Sequence, residues 1–263
     1  MSFDTALFER HRAARGLSLG RPIRWRDETQ STNDDALAAA KDGAPHGALF
    51  GAETQSRGRG RRGSEWLSPP GAGLWFSLLL RPALSAELAP GLALCAGLAV
   101  RDAVATRVSA AVEVKWPNDV LAGGRKLAGI LVESQVSGKT LSSVVVGIGI
   151  NVAQTAFPRM LAATATSLCL LSASDAQPER LLVDVLQGFE IELARLTQAG
   201  IQAIVGRLRE HDALLGKRLR VGALEGTAAG IDASGHLRLQ TLDGRIELVA
   251  SGHVELLDAR TER

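Results

Sequence analysis

Residues 57–63 read Arg-Gly-Arg-Gly-Arg-Arg-Gly, four arginines and three glycines in seven positions. Guanidinium groups hold phosphate or carboxylate oxygens in pairs, and glycine lets the main chain come close to a ligand and aim successive N–H groups at it. So much glycine with no apolar face cannot make a helix interior. The segment therefore predicts a mobile loop that binds anions; a solvated basic patch or a nucleic-acid contact has the same composition. A second concentration of chemistry is Lys115-Trp116-Pro117-Asn118-Asp119. Proline removes a ladder hydrogen bond and restricts its predecessor, so a strand is interrupted where an ammonium, an amide and a carboxylate meet. Surface charge at a strand end is the alternative role for Lys115, as it is for Lys126 at the entrance of the next apolar run. Ser31-Thr32-Asn33-Asp34-Asp35 stands before Ala36-Leu37-Ala38-Ala39-Ala40, the pattern of a helix start. Capping explains these side chains, yet the free N–H groups of a helix start also hold a polar ligand group. Trp66, at the exit of the arginine loop, is either a packing residue or a lid over a flat ring, and Asn151 is either a turn residue or an amide that hydrogen-bonds a base.

At 263 residues the chain has room for one large domain, or a medium one with a small appendage. Lysine and arginine number 30 against 28 acidic residues, a formal net charge of +2, so the basic loop is a local feature and not the mark of a protein coated for DNA. Cys95 and Cys169 stand in apolar stretches, which predicts two buried free thiols in a reducing compartment. Met1 to Gly20 carries no secretory signature and no run reads as membrane-spanning, which predicts a soluble cytoplasmic protein with no membrane partner. The histidines at 11, 46, 211, 236 and 253 lack metal-ligand spacing, so no built-in metal site is expected. Two apparent nucleotide motifs fail. Ser137-Gly138-Lys139-Thr140 has Glu133 where a phosphate-binding loop needs glycine, and reads as a hairpin turn; Gly147-Ile148-Gly149 has Val152 in the third glycine's place, with no helix signal following.

The elements that must position these groups follow from periodicity. A short amphipathic helix fits the first dozen or so residues, around Phe3, Leu7 and Phe8. Strands are predicted at Ile23–Trp25, Ala48–Glu53 and Gly73–Leu80, so the arginine loop hangs between two sheet strands. Glu87–Val108 is apolar around most of its circumference and predicts a helix buried against the sheet. Further strands are expected at Val112–Lys115, Lys126–Glu133 and Leu141–Ile150, and helices at Pro178–Leu196 and Ile201–Leu208. From Lys217 the texture changes to short alternating runs at Arg218–Val221, Gly226–Ile231, His236–Gln240 and Ile246–Val249, separated by turn residues. They predict a small β-barrel, with a boundary near residue 214.

Together, Glu53-Thr-Gln-Ser-Arg-Gly-Arg-Gly-Arg-Arg-Gly63 with Trp66, Lys115-Trp-Pro-Asn-Asp119, Lys126-Leu-Ala-Gly-Ile-Leu-Val-Glu133 and Gly147-Ile-Gly-Ile-Asn151 resemble the biotin protein ligases in order and spacing, from about residue 22 onward. The resemblance implies an α+β fold: a mixed-sheet catalytic domain with helices packed on the sheet, of the class II synthetase-like and biotin/lipoate ligase-like kind, then an SH3-like β-barrel. Expected boundaries are a helical lead over 1–21, a catalytic domain over 22–213 and the barrel over 214–263. The lead is too short for the winged helix of the family's repressors, so the chain looks like the monofunctional type. The family reaction joins biotin to the α-phosphate of ATP, with magnesium, and then passes biotin from biotinyl-5'-adenylate to a lysine of a biotin carboxyl carrier domain.

By that resemblance Ser31, Thr32, Asn33 and Gln55 would line the biotin pocket with Arg59, Gly60, Arg61 and Lys115, the last four also facing the acyl-adenylate. Trp66 would pack on adenine and Asn151 read its edge, with Asn118 and Asp119 near the nucleotide and Lys126 near the reacting carboxylate and α-phosphate. Arg59, Arg61, Lys115 and Lys126 are the catalytic candidates; magnesium would arrive with ATP, with Asp119 a candidate ligand. Glu65 stands where the family commonly has a basic residue before the loop's tryptophan. A monomer or weak homodimer without a nucleic-acid partner is expected. The alternatives are a lipoate protein ligase on a related domain, a nucleic-acid-binding regulator using the basic loop, and a non-catalytic biotin sensor.

Overall fold

The computed structural model describes residues 2–82, 84–137, 140–173 and 175–257. Helix α1 (Thr5–Ala14) starts where Asp4 accepts the free N–H groups of Ala6 and Leu7 at 2.9 Å each. There follow β1 (Ile23–Thr29), α2 (Thr32–Lys41), β2 (Leu49–Gln55), β3 (Gly73–Leu80) and α3 (Ala89–Ala105). The chain continues through β4 (Val112–Lys115), β5 (Asp119–Ala122), β6 (Arg125–Ser137), β7 (Thr140–Asn151), α4 (Pro178–Ala199) and α5 (Ile201–Arg209). It ends with β8 (Arg218–Val221), β9 (Leu224–Ile231), β10 (Leu237–Thr241), β11 (Ile246–Val249) and β12 (Val254–Leu256).

Seven strands form one sheet in the order β1-β2-β3-β7-β6-β5-β4. The β1–β2 pair is parallel and every other pairing is antiparallel, so the sheet is mixed. Its two faces are written in the period-two pattern of the central strands. On β3 and β7, Leu74, Phe76, Leu78, Leu80, Val144, Val146, Ile148 and Ile150 point into one core, filled from the helix side by Leu92, Leu98 and Val104 of α3 and Leu182, Val185 and Phe189 of α4. On the opposite face Leu79 and Val145 meet Ala36, Ala39 and Ala40 of α2, whose short side chains bring the helix close to the sheet. Among the described residues, the packing cluster on that face includes no α-helix besides α2.

The remaining five strands form an antiparallel sheet in the order β11-β10-β9-β8-β12. It leans on the larger sheet where the indole of Trp116 donates to Gly235 O at 3.0 Å. The segment after α5 runs beside β4, with Val114 N–H donating to His211 O at 2.8 Å and Ala213 N–H to Val114 O at 3.0 Å.

Several expectations need correction. Strands β5 and β12 were not anticipated: β5 is squeezed between the Pro117 turn and the Gly123-Gly124 turn, and the three residues of β12 are too few to show alternation. Cys169 is exposed, and only Cys95 is buried; the Leu-rich stretch around Cys169 is a series of turns whose side chains divide between core and solvent. Ala86–Ala105 is long and apolar enough to cross a membrane by length and composition, contrary to the reading of no such run, and it is the core helix of this fold, with 61% of its apolar window buried. It begins as a 3-10 turn at Ala86–Leu88 because Pro90 fits only the first turn of an α-helix. In the hairpin of β6 and β7, Ser137 pairs with Thr140; Gly138 and Lys139 lie outside the described residues.

Candidate functional site

The uncovered sheet face is the floor of a cavity of about 1030 Å³. Strand register lays out that floor in rows, with Ser77, Gly147 and Leu131 side by side in one and Trp75, Gly149 and Gly129 in the next. The three glycines are there for space. A Cβ on Gly147 would stand 2.1 Å from Asn33 Oδ1, one on Gly149 would stand 2.5 Å from the Trp66 indole nitrogen, and one on Gly129 would stand 2.9 Å from the same ring. Gly147-Ile148-Gly149-Ile150-Asn151 is thus a strand that turns side chains to the core on one face and leaves the other bare. The cavity walls come from the start of α2, the arginine loop, the Lys115–Asp119 break, Ala156–Ala165 and the Gly252–Val254 edge of the second sheet.

At one end lie Ser31, Thr32 and Asn33, all buried. Ser31 occupies the N-cap position of α2 but its side chain makes no capping bond. Gln55 supplies the cap from β2 instead: its Oε1 accepts Thr32 N–H at 2.9 Å and the Thr32 hydroxyl lies 3.2 Å away, while its Nε2 donates to Ser68 Oγ at 2.8 Å. The amide therefore fastens the helix start to the loop exit. Asn33 Oδ1 accepts from Ser77 Oγ at 2.5 Å, and its Nδ2 donates to Glu133 Oε2 at 2.7 Å. The expectation that capping alone accounts for Ser31 fails, and its hydroxyl stays at the cavity wall.

The arginine loop folds back on itself. Gly60 N–H donates to Ser64 O at 2.7 Å and Trp66 N–H to Gly58 O at 2.9 Å. A side chain is excluded at Gly58, where a Cβ would meet Trp66 O at 2.3 Å, while one on Gly60 would meet the hydroxyl of exposed Ser64 at 2.5 Å and push it aside. Arg62 takes φ 56°, a left-handed conformation within the loop. Arg59 reaches Asp34 at 2.6 Å and Glu133 at 3.0 Å, and Arg61 reaches Asn118 Oδ1 at 3.4 Å. Trp66 lies across Gly129 and Gly149, edge-on to Trp75 at 6.2 Å between centroids, with Lys126 Nζ 5.2 Å from its ring centre. Glu65, opposite Arg59 in the folded loop, is exposed.

The break at Trp116-Pro117 is a tight turn between β4 and β5, which holds Lys115 opposite Asp119 in the ladder. Asp119 pairs with Lys126 at 2.7 Å. Burial pushes the Lys115 ammonium below its ordinary pKa of 10.5, with Asp119 opposing and Lys126 adding to the fall. Burial likewise lowers Arg61, with Arg62 beside it acting in the same direction and Asp119 against it. Three cations held near one acid in a half-enclosed space form a site that stabilises added negative charge. Asn151 is buried at the far end, with Nδ2 donating to Thr166 O and Oδ1 accepting from Gln154 Nε2, each at 3.0 Å.

Every site residue expected from the sequence thus borders this one cavity: Ser31, Thr32, Asn33, Gln55, Arg59, Gly60, Arg61, Trp66, Lys115, Asn118, Asp119, Lys126 and Asn151. Sequence reasoning missed Asp34, Ser77, Glu133 and the Gly252–Val254 edge. Two of them carried a signal: Ser77 and Glu133 are polar residues in apolar strands, and both fall on the glycine face by the alternation. Among the described residues no group of three or more His, Cys, Asp and Glu gathers to hold a metal ion.

Residues 26–151 match the Biotin/lipoate A/B protein ligase family and residues 215–257 the Biotin protein ligase C terminal domain. The chain is 36% identical over 258 residues to the biotin--[acetyl-CoA-carboxylase] ligase of Mycobacterium tuberculosis, covering 92% of this chain and 94% of that one. The chain belongs to the biotin protein ligase family. A second relative, the bifunctional ligase/repressor BirA of Bacillus spizizenii, is 35% identical over 244 residues, 90% of this chain and 75% of that one. Among solved structures, the biotin protein ligase from Aquifex aeolicus in complex with biotin and ATP superposes with a TM-score of 0.76 at 29% identity, covering 90% of this chain and 99% of that one. The likeness to a biotin protein ligase extends over both sheets.

Proposed function

We infer that this chain is an ATP-dependent biotin protein ligase, and we assign the two ends of its cavity to the two reactants. The observation that carries the assignment is the meeting, around one cavity, of Arg59, Arg61, Lys115 and Lys126 with the buried hydroxyl and amide cluster of Ser31, Thr32 and Asn33. A fused ureido ring offers one carbonyl and two N–H groups, and the cluster offers matching donors and acceptors in an enclosed space. The valeryl carboxylate then points along the floor toward the cations.

In the first step a carboxylate oxygen of biotin attacks the α-phosphorus of ATP, the bond to the β-phosphate oxygen breaks and pyrophosphate leaves. Two anions must be brought into contact and the pentavalent phosphorus gains charge, so fixed cations matter more in the transition state than before it. Arg59, Arg61 and Lys115 supply that charge, and Lys126 orients the carboxylate or the α-phosphate. In the second step a lysine amine of the carrier domain attacks the acyl carbon, the bond to the phosphate oxygen breaks, AMP leaves and the amine loses a proton. Trp66 and Asn151 serve the adenine. Magnesium would come with the nucleotide and screen the departing pyrophosphate, with Asp119, whose Oδ1 pairs with Lys126, the carboxylate that could hold it beside phosphate and water oxygens.

Folding of the arginine loop over the acyl-adenylate keeps water from the mixed anhydride. We also propose the division of the chain at residues 21 and 213, with the second sheet as an SH3-like unit that completes the cavity at Lys115, and a biotin carboxyl carrier domain as the protein substrate. The test is mass spectrometry of a carrier domain incubated with the protein, ATP and biotin. One biotinyl group on one lysine is expected; no added mass, or a lipoyl group when lipoate is offered in its place, would overturn the reading.

A further inference from the structure

We propose that Glu133 is a positioning residue that ties occupancy of the biotin end of the cavity to the posture of the arginine loop. Glu133 comes from β6, faces the glycine side of the sheet, and spends one oxygen on two donors. Oε2 accepts from Asn33 Nδ2 at 2.7 Å and from Arg59 Nη2 at 3.0 Å.

Asn33 is held at its oxygen, and its Nδ2 has Leu131 O as a longer second partner at 3.4 Å. Its Oδ1 is held by Ser77 Oγ at 2.5 Å and is backed by Gly147, where even a methyl group would come within 2.1 Å of it. The amide is buried and borders the cavity, and the shorter of its two Nδ2 contacts is the one to Glu133. Arg59 has a second anchor in Asp34 at 2.6 Å, on the residue after Asn33 in the first turn of α2. The guanidinium is therefore stretched between α2 and β6, and both of its carboxylate partners sit beside the amide.

Sharing a single oxygen makes the two donors compete. When a ligand carbonyl draws Asn33 Nδ2 toward itself, the charge on Oε2 is left to Arg59 and the loop is held more tightly over the cavity. Binding at one end thus pre-forms the lid for the nucleotide at the other. By reciprocity a tighter hold on Arg59 strengthens the first ligand by the same factor. This relay rests on the reading that biotin sits at Ser31, Thr32 and Asn33.

The loop offers its own readout, because Arg57, Arg59, Arg61 and Arg62 are trypsin sites. Saturating biotin without ATP should slow cleavage there by about fivefold or more in the native chain, the lower range of a coupling between sites. Glu133→Gln should lose that slowing at saturating biotin and bind biotin more weakly in calorimetry. Asp34→Asn, which touches Arg59 but not Asn33, should raise cleavage without biotin and keep the biotin-dependent factor. Thr32→Val should weaken biotin but keep the slowing once saturated. If Thr32→Val binds biotin as the native chain does, the pocket assignment falls and the relay with it. If Thr32→Val weakens binding while Glu133→Gln is protected as the native chain is, the relay alone falls, as it does if biotin never protects the native loop. Should Glu133→Gln not melt cooperatively, Glu133→Asp, which keeps the charge and withdraws the oxygen, is read in the same assay and should also lose the slowing.

Discussion

Lys115, on the seven-stranded sheet, donates from its ammonium to the main-chain carbonyl of Val254, on the five-stranded sheet, at 3.2 Å. The cation assigned to the phosphoryl-transfer step is thus aimed by a strand of another unit. Its neighbour Trp116 repeats the arrangement through Gly235 O. The turn after β4 takes Trp116 out of the ladder and leaves Lys115 at its last pair, opposite Asp119, and the second sheet supplies a further partner to each side chain.

Lys115→Ala should therefore lower biotin-dependent ATP–pyrophosphate exchange by about 100- to 1000-fold, the effect of removing one transition-state donor. The melting temperature should barely change, because Val254 O borders the cavity and water can replace the lost donor. Trp116→Phe should do the reverse. Gly235 O is then left without its indole partner in a buried contact, a loss of about 1–3 kcal/mol in unfolding free energy, with the exchange reaction retained. Equal loss of exchange in both variants would remove the distinction.

The bare strip of the sheet predicts a separation of substrates. In Gly149→Ala the new methyl group stands 2.5 Å from the Trp66 ring nitrogen, and in Gly147→Ala it stands 2.1 Å from Asn33 Oδ1. The first should raise KM for ATP by about tenfold with biotin binding retained, and the second should weaken biotin by a similar factor, as expected when overpacking displaces a ligand-contacting group. Isothermal titration with biotin and initial rates with ATP check both. Identical effects on the two ligands would mean that the cavity has no such division.

Most strands of the sheet, with α3 and α4, were legible because their apolar patterns are regular or unbroken. Gly73–Leu80 and Val112–Lys115 were read to the residue, and apolar side chains at period two and three to four dominate those stretches. The Arg57–Gly63 loop and Lys115-Trp-Pro-Asn-Asp119 were legible for a different reason, since no packing role accounts for their composition. Two kinds of information were not. Local sequence does not say which side chain caps a helix across the chain, so Gln55 replacing Ser31 at the start of α2 had no visible signal. Nor does it show which polar residue faces which cavity. Glu133 looked like the end of an apolar run until register placed it opposite Val145 and beside the loop.

Behind the sheet, Glu192 of α4 is only 1% exposed and is held by Arg207 of α5 and by Arg195, with Arg207 also reaching Asp102 of α3 at 2.8 Å. The ring fastens three helices at a distance from the cavity. Asp102 is held below its usual carboxylate range: burial acts against this, and Arg207 and Arg101 prevail. Arg207→Ala should destabilise the fold by about 2–3 kcal/mol, short of the full effect of orphaning a buried charge because Arg195 remains. Denaturant unfolding measures the loss, and KM for ATP should stay unchanged. A stability within error of the native value would show that Arg195 alone satisfies the acid.

The loop before β2 carries a separate pH dependence. His46 accepts Arg81 N–H through Nδ1 at 3.0 Å, a bond that requires the unprotonated nitrogen. Burial lowers its pKa below the ordinary 6.5, with Glu190 opposing the fall. The folded chain therefore resists a proton that the unfolded chain accepts. Where the unfolded state binds more protons, stability rises with pH, so this contribution is fully present above 6.5 and is lost as pH falls through that value toward the lower folded pKa. Melting temperatures recorded from about pH 7.5 to pH 5.5, the range in which histidine titrates, should fall more steeply for the native chain than for His46→Gln. Glutamine can accept the same N–H through its side-chain oxygen and does not titrate. Superimposable curves for the two proteins would mean that His46 contributes nothing to the acid sensitivity of the fold.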